Sequence, residues 1–150
     1  MMLLNRARLL ITTLWVGSLW AIGYLAAPTL FATLFDRVLA GTVAGSLFRS
    51  EAWLSLVCGV ILLILQSRRN RAVTKQRAVM PLIAAMMLCT LVGYFGLQPF
   101  MAQLREAAGP AGVMAGAAHQ QFAILHGVSM VIYLIESLLG AWLVFKVQEA

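Results

Sequence analysis

Between Phe122 and Phe145 the chain is apolar except for one histidine, His126, and one glutamate, Glu136. On a helix turning 100° per residue, His119, Phe122, His126, Ser129, Met130, Tyr133, Glu136, Ser137 and Gly140 share roughly 120° of arc. His126, Ser129, Tyr133 and Glu136 form the candidate functional face. A carboxyl group in such a helix has two readings. It can exchange a proton or meet a solute, because ionisable groups at membrane depth are costly and mark functional sites. It can also act as structural glue, bonded to Thr12 or Thr13 of the first helix. Glu136 lies ten residues from His126, about 15 Å along the axis, so the two cannot act as a direct acid–base pair. His119 and His126 are about 10.5 Å apart by the same rise and cannot share one metal ion on a regular helix.

Metal chemistry would need His126 together with ligands from elsewhere. Cys58, Met86, Met87 and Cys89 are the available soft set, suited to Cu(I), and a histidine could also serve as an axial haem ligand. No cofactor is demanded by these residues, since methionine and free cysteine more often fill cores. No nucleophile–base pair, Gly-rich phosphate loop or zinc spacing occurs in the sequence, so an ordinary hydrolase is not expected and the balance leans away from an enzyme.

The elements that position these residues follow from composition. Of the 150 residues 62% are hydrophobic and 11% charged, with a mean hydropathy of +0.91. That balance leaves too little polar surface for a water-soluble domain and predicts an all-α, multi-pass membrane four-helix bundle in a single domain. The expected helices are roughly 9–31, 50–67, 78–98 and 120–145, with Arg49 and Glu51 marking the start of the second. Arg6 and Arg8 before a long apolar run resemble a signal peptide. Pro28 after Leu25-Ala26-Ala27 argues against cleavage. The net charge of +6 is concentrated at helix ends, so no nucleic-acid face is expected. Arg6, Arg8, Arg68, Arg69, Arg71, Lys75, Arg77 and Lys146 fall on one side, against Arg37, Arg49 and Arg105 on the other. The eight-to-three bias predicts cytoplasmic termini and a cytoplasmic middle loop. Trp15, Trp53 and Trp142 occupy outer turns, as interface anchors do, although packing accounts for Trp15 equally well.

The two outer connections are related. Pro28, Gly41 and Gly45 match Pro99, Gly112 and Gly116 at a constant offset of 71 residues. This reads as two parallel helical hairpins and an internal repeat. GxxxG spacing would let backbones approach closely. From Leu30 to Phe48 the apolar residues keep helical spacing, either as an interfacial helix or as outward extensions of helices one and two.

Trp15 and Gly17 in "LWVGSLW", then "APTLF" (27–31), "AGTVAGSLF" (40–48) and "FAILHGVS" (122–129), resemble the transmembrane protein 205-like family, a four-helix membrane domain of unknown function. Members often carry asparagine where this chain has Tyr133. The architecture is also similar to copper-resistance D proteins and to the membrane-embedded, haem-binding protoporphyrinogen oxidase. The resemblance implies Trp15, Gly17, Pro28, Gly41, Gly45, His126, Gly127 and Ser129 as key positions, with glycines and proline shaping the bundle and His126 and Ser129 facing its interior. The expected function is an unassigned membrane activity in small-solute or metal handling or in membrane assembly, in the bacterial inner membrane, with the lipid bilayer and further copies of the chain as partners. The alternative is a haem- or copper-binding redox protein.

Overall fold

The computed structural model describes residues 2–67, 79–109, 112–113 and 118–148. Among the described residues four helices are long and apolar enough to cross a membrane: Leu3–Thr33, Arg37–Ser67, Val79–Ala108 and His119–Gln148. All run past the expected limits at one end or both. A helix of 31 residues is about 46 Å long, against a hydrocarbon core of about 30 Å, so its ends reach beyond the apolar layer.

The first and third spans are each built in three parts. Helix α1 (Met2–Trp20) passes into a π-helical segment, Ala21–Ala26, and then α2 (Ala27–Thr33). Helix α4 (Val79–Thr90) passes into a second π segment, Leu91–Leu97, and then α5 (Gln98–Ala108). Pro28 and Pro99 each lie in the first turn after a π segment. Proline has no N–H to donate and its ring crowds the carbonyl four residues back, so a widened turn just before it relieves both problems. This is where the two hairpins correspond.

They diverge immediately afterwards. The first span ends at Leu34, whose backbone is extended. Asp36 then accepts the N–H groups of Val38 (2.8 Å) and Leu39 (3.1 Å) and caps the next helix. Helix α3 (Arg37–Ser67) is continuous, so residues 37–49 extend the second span outward and are not a separate interfacial helix. Gly41 and Gly45 lie inside it. Their counterpart Gly112 sits in a loop at φ 76°, three residues after Gly109 at φ 59°, a region that glycine enters without penalty. Gly116 lies outside the described residues, as do Arg68, Arg69, Arg71, Lys75 and Arg77.

The fourth span, α6 (His119–Gln148), packs mainly on α4 and α1 and only lightly on α5. The apolar core is accordingly at the inner half of the bundle: Trp15, Val16, Cys58, Leu62, Val79, Leu82, Ile83, Met86, Leu143 and Val147. The face opposite the polar stripe of α6 is largely exposed, including Val128, Val131, Ile135, Leu138 and Trp142. Trp53 is also exposed, whereas Trp15 is fully buried. With lipid as apolar as these side chains, close packing and interhelical hydrogen bonds hold the spans together.

Candidate functional site

Among the described residues two carboxyl groups, not one, lie inside the bundle. Glu51 is 4% exposed and Glu136 is 3% exposed. Glu51 is 14 residues from Arg37 and 16 from Ser67, so it lies at the middle of α3 and does not mark a helix start. Glu136 is likewise in the central part of α6. Both stand at a depth where a charge is costly unless paired.

Each carboxyl group is held by a neutral hydroxyl. The Ser55 hydroxyl, one turn along α3, donates to Glu51 Oε1. Ser55 Oγ in turn accepts the indole N–H of Trp15 at 2.7 Å. The Thr90 hydroxyl lies 2.7 Å from Glu136 Oε1 and 3.2 Å from the Met86 carbonyl, so its single proton has two acceptors. Beside Glu136, Ser137 accepts from the Tyr24 hydroxyl at 2.9 Å. Tyr133 donates to the carbonyl of Leu19. Glu51 contributes to the electrostatic surroundings of Glu136, and both contribute to those of Tyr133. All four spans contribute to this layer: Trp15 and Tyr24 from the first, Glu51 and Ser55 from the second, Thr90 from the third, and Tyr133, Glu136 and Ser137 from the fourth.

The hydrogen-bonding partner of Glu136 is therefore Thr90, not Thr12 or Thr13. Thr13 is exposed. Thr12 is fully buried, and its hydroxyl has no hydrogen-bond partner among the described residues.

The polar stripe of α6 faces the interior only along its inner part. Glu136, Ser137 and Gly140 are buried and Tyr133 and Ser129 partly so, while His119, His126 and Met130 are exposed. The cause is the light packing of α6 on α5: toward the outer end the fourth span has little bundle to face. There His126 stacks on Phe122 with ring centroids 5.8 Å apart. Arg105 sits over the Phe122 ring of this stack, 5.7 Å from its centroid. Arg105 also donates to the Gly41 carbonyl (3.4 Å) and Gln98 (3.2 Å). The GxxxG face of α3 thus receives an arginine: a Cβ at Gly45 would stand 3.5 Å from its guanidinium.

His126 is far from the soft residues suggested as its co-ligands. Cys58 and Met86 belong to the inner core, Met87 lies against Gly59, and Cys89 is close to Glu136. Among the described residues no three of His, Cys, Asp and Glu are grouped to hold a metal ion.

Close approach falls at glycines other than those the motifs singled out. Gly17 and Gly127 have nothing within 4 Å of an added Cβ, because both point out of the bundle. At Gly23 a Cβ would lie 2.2 Å from Tyr133, at Gly59 2.6 Å from Met87, and at Gly140 3.2 Å from Val16.

A family model described as a domain of unknown function, DUF4149, matches residues 10–110, two thirds of the chain. The chain belongs to the DUF4149 family. No curated protein and no solved structure matches it. The DUF4149 match takes in Trp15, Gly23, Glu51, Ser55 and Thr90 and stops before α6, so Tyr133, Glu136 and Ser137 lie beyond it.

Glu51 had a signal in the sequence. Ala40, Ala44, Glu51, Ser55, Cys58, Leu62 and Gln66 are all buried, and their spacing of three, four or seven residues is a single helical seam running through the glutamate.

Proposed function

We propose that this DUF4149 protein is a multi-pass membrane protein of the transmembrane protein 205-like type that handles a small solute or metal ion, with Glu51 and Glu136 as its proton-exchanging site. The observation that carries this reading is the carboxyl pair itself. Two buried acids sit at mid-helix on different spans, each bonded to a neutral hydroxyl. Glue alone would need one such group. Two buried acids on different spans favour proton exchange, because a carboxylate at membrane depth is costly to keep ionised.

The test is infrared difference spectroscopy on the full chain in lipid nanodiscs. A band from protonated carboxyl groups should change when the pH is stepped, and it should vanish in the Glu51→Gln/Glu136→Gln variant. A spectrum with no exchangeable carboxyl band would sink the reading. The same preparation discriminates the copper- or haem-binding alternative: stoichiometric copper or a haem absorption spectrum would favour it.

A further inference from the structure

The outer half of the seam between the second and third spans is lined with hydrogen-bond donors. The two spans run in opposite directions there. A Cβ at Gly45 would stand 3.7 Å from Gln98 Nε2, and one turn further in Arg49 Nε donates to the Tyr94 oxygen at 3.2 Å. Arg105 closes the outer side, donating to Gln98 and to the Gly41 carbonyl while Phe122 lies under its guanidinium. A guanidinium has five N–H groups. Among the described residues Arg49 places one of them, and Arg105 places three, the third on the Met101 carbonyl. The Tyr94 oxygen accepts, so its own O–H has no acceptor among the described residues, and neither has the Gln98 amide nitrogen. Neither arginine has a carboxylate partner among the described residues. The acids that are placed have other work: Asp36 caps α3, and Glu51 and Glu136 are buried on hydroxyls.

We propose that Arg49 and Arg105, with Tyr94 and Gln98, form a binding site for a phosphate group at the outer end of the bundle. The site offers donors and two positive charges, and its natural complement is a group that only accepts and carries negative charge. Along α3 the two arginines are anchored four residues apart, at Gly45 and at Arg49 itself, which is about 6 Å. Like charges on adjacent turns repel, and an anion between them removes the repulsion. Water can fill the free donors but leaves the charge uncompensated. The guanidinium fork matches phosphate oxygens two at a time. A phosphate has enough oxygens to meet both forks and the Tyr94 hydroxyl, whereas a carboxylate has two. Arg49 is exposed on its span and Arg105 only partly buried, so a ligand can reach both. The phosphate belongs either to a lipid headgroup or to a soluble phosphate compound. The site shares no residue with the Glu51/Glu136 pair and does not rest on the proton-exchange reading.

Isothermal titration of the full chain in maltoside micelles tests the site. The probes are dioctanoyl phosphatidic acid, inorganic phosphate, and dioctanoylglycerol, which has the same chains and no phosphate. A phosphate probe should bind and dioctanoylglycerol should not. Arg49→Gln should weaken the phosphate probe about tenfold, and Tyr94→Phe about threefold. Tyr94→Phe keeps the ring that packs edge-on against Phe95, so its loss reads the missing hydroxyl and not a misfolded seam. Arg37→Gln removes a positive charge from the outer end of the same helix and should bind as the wild type does. Tighter binding of phosphatidic acid than of inorganic phosphate supports a lipid headgroup as the ligand. Equal or tighter binding of inorganic phosphate supports a soluble phosphate compound in the same site. The proposal is overturned if neither phosphate probe binds, or if dioctanoylglycerol binds as well as phosphatidic acid. Unchanged affinity in Arg49→Gln also overturns it, as does an equal loss in Arg37→Gln, which would mean diffuse attraction to a basic surface.

Discussion

A glycine's worth in a membrane bundle depends on what its missing side chain admits. Gly23 admits the Tyr133 ring, whereas Gly17 faces outward with nothing near it. Gly23→Ala should destabilise the protein by about 1–3 kcal/mol through overpacking, while Gly17→Ala should stay within about 0.5 kcal/mol. Thermal unfolding in detergent measures both, and equal losses would contradict the placement of Tyr133. Thr90 makes a second case. Thr90→Val keeps the shape but leaves Glu136 without its hydroxyl donor, which should cost about 1 kcal/mol. Replacing the acid instead, Glu136→Gln preserves an acceptor for Thr90 and should melt close to the wild type. Glu136→Leu removes the acceptor and should melt lower than Glu136→Gln.

At the level of elements, Arg105 ties three helices together in the outer half of the molecule. Arg105 on α5 reaches the Gly41 carbonyl on α3, Gln98 on its own helix and the ring of Phe122 on α6. Arg105→Ala should loosen these three helices at their outer ends. Arg105→Lys should not restore them, because an ammonium cannot reproduce the planar fork of donors or the stacking on an aromatic ring. Distances between spin labels on residues 42 and 103 report the change; unaltered distances in the alanine variant would show that packing alone holds the outer ends. Helical spacing made the second span legible as far as Phe48. The pattern did not show that the helix would run on unbroken through Arg49 and Glu51, because charged residues at that point read equally well as a boundary. Tertiary packing decided it: the seam from Ala40 to Gln66 is buried along its length.

For the molecule as a whole, the four helices able to cross a membrane would, each crossing once, place residues 3 and 148 on the same side. The basic bias predicts that this side is the cytoplasm. Reporter fusions at the two termini and within residues 68–77 should all give a cytoplasmic signal. A reporter after Ala108 should give the opposite one; the reverse pattern would invert the topology.

Composition and hydropathy were enough to establish an all-α membrane protein with four spans, because a chain that is 62% hydrophobic has few other ways to satisfy its backbone in lipid. The periodicity of α6 likewise found Tyr133 and Glu136 on one face. It could not tell how far along the helix that face stays covered, so His126 was grouped with residues that lie deeper. Only the tertiary structure buried Glu51, gave Glu136 the Thr90 hydroxyl, and set Tyr133 into the turn at Gly23. Those contacts join residues as much as 114 positions apart, and the distance between such residues depends on how the spans cross, which no local spacing records.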